Sequence, residues 1–333
     1  MKQLLCRTPM LNEAKENGKG HNWAVEILIF VLVFFIAQSL VSIPVTVGTM
    51  VWMFTSEEVI AALMEVMETG DMTSYMEVVE TFTTQMPDWM MILQLFSTAI
   101  ATATAIFYCR WIEKRSLASM GMRRPYFLRE YGVGVLVGIS LIAACVGICC
   151  ISGSMKLHAS SFSPLIWLLY LLGFLIQGMS EEVLCRGYMM VSVSRKNSLV
   201  LAVLTNSVIF GLLHLANPGF GLLPLLNIIL FGIFESIYVL KRGNLWGACA
   251  IHSFWNFFQG NIFGISVSGT GAGASPLAAT MTPGQELING GTFGIEGGLV
   301  VSVVMTLAIL VLLFLVPAKQ QEPSDPIPEP QFS

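Results

Sequence analysis

Glu181, Glu182, Arg186, His214 and His252 interrupt stretches otherwise made of apolar residues, and Asn256 follows the last by four positions. A charged side chain at the centre of a bilayer costs about 2.5–3.5 kcal/mol on the insertion scale, so each such residue needs a reason to be there. The run Ser180-Glu181-Glu182-Val183-Leu184-Cys185-Arg186 puts Glu182 and Arg186 on one helix face, where they can pair. Glu181 lies about 100° round the same helix. One carboxylate is balanced, and the other is left free to act as a base. His214 follows Phe210 by four residues and His252 precedes Asn256 by four, so each pair also shares a helix face. Asn256 has the chemistry to hydrogen-bond a substrate oxyanion or to hold His252 in one tautomer.

The elements that must position these groups follow from composition. Apolar residues make up 55% of the 333 and charged ones only 11%, against about 25% in soluble domains. The mean hydropathy is +0.73, and the chain reads as a multi-pass protein of a cell membrane with lipid as its surroundings. On the rule that a helix needs about 20 apolar residues to cross, the sequence predicts an all-α transmembrane bundle of about eight spans. They fall at 23–53, 89–109, 131–152, 163–191, 198–215, 220–240, 244–265 and 297–317, with Pro44 expected to kink or end the first. Every second loop is basic: Lys2 to Lys19, Arg110 to Arg129, Arg195 with Lys196, and Lys241 with Arg242. That alternation places both termini in the cytoplasm. The three helices carrying Glu181, His214 and His252 hold them well inside a core of about 30 Å, which permits a common site.

The remaining segments are less apolar. Residues 1–22 read as a cytoplasmic tail before an uncleaved span, because no small-residue cleavage site follows the apolar run. Segment 55–88 carries eight acidic residues and no Lys or Arg. Its Val59, Leu63, Val66 and Met67 suit an amphipathic helix at the outer surface. Gly269–Gly298 reads as a flexible outer loop and the proline-rich 318–333 as a disordered tail. Glu235 lies close enough to Lys241 to reach the interface. Asn206, Asn217 and Asn227 suit interhelical hydrogen bonds. Cys109, Cys145, Cys149, Cys150, Cys185 and Cys249 fall in or at the ends of apolar stretches, as small hydrophobes do. A net charge of −4 without a basic run argues against nucleic acid as a partner.

In this order and spacing, Glu181-Glu182-x-x-x-Arg186, Phe210-x-x-x-His214 and His252-x-x-x-Asn256 resemble the three motifs of the CAAX-protease and bacteriocin-processing (CPBP, Abi) family, type II CAAX prenyl proteases among them. Phe231-Gly232 and Arg242-Gly243-Asn244-Leu245-Trp246 also look like that family's pattern, whereas Glu235 and Ser236 depart from it. The resemblance implies an intramembrane endopeptidase acting on a peptide or protein, membrane-anchored substrates included, without a Ser or Cys nucleophile. Under it Glu181, helped by His214, activates a water. His252 and Asn256 stabilise the oxyanion, and Glu182 with Arg186 supports them. No cofactor is required, although Glu181, His214 and His252 together would also make an acceptable zinc set. The family-like core is expected at 130–265. It follows two spans over 23–129 and precedes an outer loop and last span over 266–317. A non-catalytic bacteriocin-immunity or scaffold protein and an ion-coupled transporter are the other classes these residues allow. The absence of an internal repeat disfavours the transporter.

Overall fold

The computed structural model describes residues 8–16, 20–73, 75–76, 86–124 and 126–317. In hydrocarbon an unpaired backbone N–H or C=O costs several kcal/mol, and a helix satisfies both within one segment. Helix α1 (Pro9–Glu16) leads to α2 (Trp23–Thr55) and α3 (Glu57–Thr69), and α4 spans Asp88–Ile112. Helix α5 (Phe127–Ile151), strand β1 (Met155–Ala159) and α6 (Pro164–Ser194) follow. The chain then forms α7 (Leu199–Leu212), α8 (Leu222–Arg242), α9 (Trp246–Asn261), strand β2 (Leu277–Met281), α10 (Glu286–Asn289) and α11 (Leu299–Phe314). Side chains fix several starts: Asn22, Ser56 and Ser198 accept the Val25, Val59 and Leu201 amides, and Pro164 opens α6.

Each of the eight predicted segments contains a helix, but among the described residues five helices are long and apolar enough to cross a membrane: α2, α4, α5, α6 and α8. Helix α7 has 14 residues and α9 has 16. At 1.5 Å per residue these reach roughly 21 and 24 Å, short of a core of about 30 Å. Both carry site residues or end beside them. Helix α2 continues through Pro44 instead of ending there.

Further expectations are corrected. The fold is not purely helical, because β1 and β2 pair antiparallel with Met155 opposite Met281 and Ala159 opposite Leu277. Consequently 269–298 is a folded segment: Asn289 Nδ2 donates to Ser154 O and Asn217 Nδ2 to Ser268 O. Its glycines supply tight turns, several at positive φ, and not slack. Residues 8–16, before α2, are equally engaged. Met10, Leu11 and Ala14 of α1 are fully buried in the main apolar cluster with Met120 and Leu245, and Ser116 hydrogen-bonds Glu13. Residues 318–333 lie outside the described residues. Lastly, Glu235 does not reach an interface; it is fully buried.

The site-bearing helices are held from two sides. Helix α9 packs on α5 and α6. On α5, Gly134 and Gly138 admit its backbone: a Cβ on either would lie 2.2 Å from Gly247 O or 2.6 Å from Ile251 O. This is the small-residue spacing by which membrane helices approach closely. At the other end of α6, Arg115 donates to Glu113 at 2.6 Å, to the Gly187 and Tyr188 carbonyls and to Ser192 Oγ. Arg195 completes the cluster by pairing with Glu113 and Glu26. Both arginines are buried, and each charge has an opposite partner.

Candidate active site

Helix α6 is α-helical from Pro164 to Glu182 and then loosens into a π-helical stretch, Val183–Met190. Such wide turns inside α-helices recur at functional sites. Here the transition falls directly after the two consecutive glutamates. Glu182 and Arg186 form the expected pair, 2.7 Å between Oε1 and the guanidinium, with both side chains fully buried. Arg186 also donates to Gly232 O at 3.3 Å and lies 4.6 Å from the centre of the Phe210 ring. The cation is therefore anchored to α8 and to α7 as well as to its own helix.

His252 of α9 enters between the two carboxylates. Its Nδ1 lies 2.9 Å from Glu182 Oε1, and its Nε2 lies 3.5 Å from Glu181 Oε2. A carboxylate can only accept, so Nδ1 carries the hydrogen toward Glu182; in the neutral imidazole Nε2 then presents its lone pair on the side of Glu181. Phe210 and Phe231 stand edge-on to the imidazole at 5.9 and 5.2 Å and restrict its rotation. The approach needs a gap in α6. Gly178 supplies it, because a Cβ there would fall 2.4 Å from Ser253 Oγ and 2.7 Å from Ser253 N.

Glu181 differs from its neighbour in exposure: its side chain is 30% exposed, whereas that of Glu182 is wholly enclosed. Gln177, one turn earlier, donates to Glu181 Oε1 at 2.6 Å and accepts from Asn256 Nδ2 at 3.0 Å. A chain of polar groups thus runs from Asn256 through Gln177 to Glu181. Gln177 was not singled out in the sequence, although its spacing of four before Glu181 was a usable signal.

The open side of this cluster is a cavity of about 380 Å³ whose wall includes Glu181, His252, Asn256, Gln177 and His214. His214, just beyond α7, binds Phe210 O through Nδ1 at 2.9 Å, which makes Nδ1 the protonated nitrogen and leaves Nε2 to accept. The sequence reading joined Glu181 to His214; the nitrogen in contact with Glu181 belongs to His252, and His214 faces the same space. Glu296, also unforeseen, reaches the cavity from the outer segment. It accepts from Ser268 N at 2.6 Å, from Ser268 Oγ, from Gln259 and from Trp255, and so clamps that segment over α9. Asn206 and Asn227 make the interhelical bonds expected of them, Asn206 donating to Ser236 Oγ of α8 and Asn227 accepting from Ser302 Oγ of α11, whereas Asn217 donates to a loop carbonyl, Ser268 O.

The zinc set raised by the sequence does not fit this arrangement. Among the described residues no three His, Cys, Asp or Glu side chains converge as ligands. The six described cysteines are free, five of them buried and Cys150 half-buried.

Six residues that the sequence singled out, on or just beyond three helices, therefore surround or support one polar cluster, and all six lie within the stretch that matches a known family: type II CAAX prenyl endopeptidase, Rce1-like, residues 163–258. Residues 163–258 form an Rce1-like domain. This domain contains α6 to α8 and most of α9, with Gln177 and Glu235 inside it. Glu296 and the helices before α6 lie outside. No curated protein and no solved structure matches the chain. The Rce1-like domain belongs to a family of CAAX prenyl endopeptidases, and the chain that carries it has several helices of membrane-spanning character.

Proposed function

We propose that this protein is an intramembrane endopeptidase that cleaves a peptide bond with a water activated by Glu181 and His252. The observation that carries this reading is the 3.5 Å approach of His252 Nε2 to Glu181 Oε2 at the wall of the cavity. We place the reacting water on the cavity side of this pair, where it would donate one hydrogen to the Glu181 carboxylate and one to His252 Nε2. That water is polarised on both sides.

On attack, the water oxygen bonds to the scissile carbonyl carbon and Glu181 takes the proton. When the C–N bond breaks, the same proton passes to the leaving amine. The developing oxyanion needs a donor: Asn256 uses one N–H on Gln177 and has a second to offer. His214 presents an accepting Nε2, which suits holding a substrate N–H or the incoming water. Glu182, fixed by Arg186, keeps the His252 proton on Nδ1 so that Nε2 faces the water. The apolar part of the wall, including Phe174, Phe231 and Leu184, suits a substrate with an apolar or membrane-anchored segment.

The test is cleavage by the purified protein in lipid nanodiscs of peptides that carry or lack a prenylated C-terminus, with products read by mass spectrometry. Defined peptide products from the wild type, lost in His252→Ala, support the proposal. Ion or solute flux into vesicles without cleavage would favour a transporter instead.

A further inference from the structure

Between α9 and β2 the chain passes through a short run in which Val267, Ser268, Thr270, Gly271 and Gly273 line the same cavity as Glu181 and His252. This run is fixed at both ends. Glu296 accepts from Ser268 N at 2.6 Å, and Val267 and Thr270 exchange backbone hydrogen bonds at 3.0 and 2.9 Å. At the far end Asn261 Nδ2 donates to Ala274 O at 2.9 Å. Between these ties, no backbone N–H or C=O of Gly271, Ala272 or Gly273 has a hydrogen-bond partner among the described residues. Gly271 and Ala272 are exposed, so their peptide groups can be reached.

The two glycines differ in what requires them. Gly273 is dictated by packing: a Cβ there would lie 2.3 Å from the Tyr170 ring of α6, and Tyr170 is itself held by its bond to Asp88 at 2.8 Å. Gly271 has no such cause. Its φ is not positive, and a Cβ would meet nothing within 4 Å. A glycine that neither its own backbone nor its neighbours demand leaves the main chain bare, which lets another backbone come close. Consecutive unpaired peptide groups anchored at both ends are the edge onto which an extended peptide adds as a strand. Tyr170 precedes Glu181 by eleven positions on α6, about 16 Å along the helix. Extended peptide rises about 3.3 Å per residue, so roughly five residues cover that span. We infer that residues 271–273 are a subsite for the substrate's main chain, which lies there as an added strand about five residues from the scissile bond. This deepens the proposed peptide cleavage and rests on it: the substrate is an extended segment, recognised through its backbone amides.

Binding and amide exchange test this without requiring cleavage. The probe is a fluorescein-labelled peptide bearing a farnesylated cysteine, added to the full chain in nanodiscs. Saturation with it should slow hydrogen–deuterium exchange at 271–273. Gly271→Val, whose Cβ has room in the free protein, should melt like wild type yet bind the peptide about tenfold more weakly, the worth of one or two backbone hydrogen bonds. N-methylation of the peptide amide that pairs with this strip should weaken binding to wild type by a similar factor and leave binding to Gly271→Val almost unchanged. Where the peptide is cleaved, Gly271→Val should raise KM and spare kcat. Unslowed exchange at 271–273 with peptide bound overturns the inference, as does equal affinity of Gly271→Val and wild type, or the lack of saturable binding. Protection without cleavage keeps the subsite and refutes the activity; cleavage without protection does the reverse.

Discussion

His252 addresses two consecutive carboxylates with its two ring nitrogens, Nδ1 at 2.9 Å from Glu182 Oε1 and Nε2 at 3.5 Å from Glu181 Oε2. Adjacent residues on a helix point about 100° apart, so one imidazole can touch both only when it enters the angle between them. The two glutamates then divide their tasks by environment. Glu182 is sealed in against Arg186, while Glu181 opens on the cavity.

Gly178 is what lets the imidazole in. Replacing it with valine should push α9 from α6 at Ser253, since even a Cβ meets that residue at 2.4 Å. A loss of about 1–3 kcal/mol is expected from such overpacking. It should be seen as a lower midpoint in denaturant titrations, with cleavage falling more steeply than stability. Normal stability together with normal activity would argue against a tight crossing here.

Gln177 should matter to rate more than to binding. Its removal by Gln177→Ala frees Glu181 Oε1 and drops the partner of Asn256 Nδ2. We expect kcat to fall about 10- to 100-fold, the value of one to two charge-assisted hydrogen bonds. KM should change by less than about threefold if the loss is confined to the transition state. A selective rise in KM would instead make Gln177 a substrate contact.

Arg115 bears on stability alone. It is fully buried, bonded to Glu113, Ser192 and the Gly187 and Tyr188 carbonyls, and it steadies the π-helical stretch from the end remote from the cavity. Arg115→Ala leaves Glu113 with Arg195 as its remaining cation. Breaking such a buried pair typically costs about 3–5 kcal/mol. Unfolding in detergent titrations should show it, and a shift below about 1 kcal/mol would contradict the role.

Much of the site was legible because spacing of four reports a shared helix face, which is how Glu182 with Arg186 and His252 with Asn256 came forward. Spacing within one helix does not reveal which neighbour that face meets. For that reason Glu181 was joined to His214, although the His252 nitrogen lies against it. Gly178 escaped notice because a lone glycine in an apolar run carries no pattern of its own, whereas Gln177 had the spacing of four before Glu181 but, being uncharged, stands out less from an apolar run than the glutamates do. The segment 269–298 misled for a different reason: a glycine-rich composition signals tight backbone turns as readily as looseness, and here Asn217, Asn289 and Glu296 tie it down. Glu235 was read by its distance along the helix from Lys241, whereas its side chain faces the interior of the bundle and is fully buried.

The central claim is that Glu181 is the base that receives the water's proton. Replacing it with glutamine keeps the size and the bond to Gln177 within reach but removes the basic oxygen. Single-turnover cleavage of a prenylated or other membrane-anchored peptide by wild type and Glu181→Gln in nanodiscs tests this most directly. The account predicts a rate lower by about 10²–10⁴, the usual worth of a positioned general base, at unchanged melting temperature. Cleavage by Glu181→Gln within about threefold of wild type would contradict it.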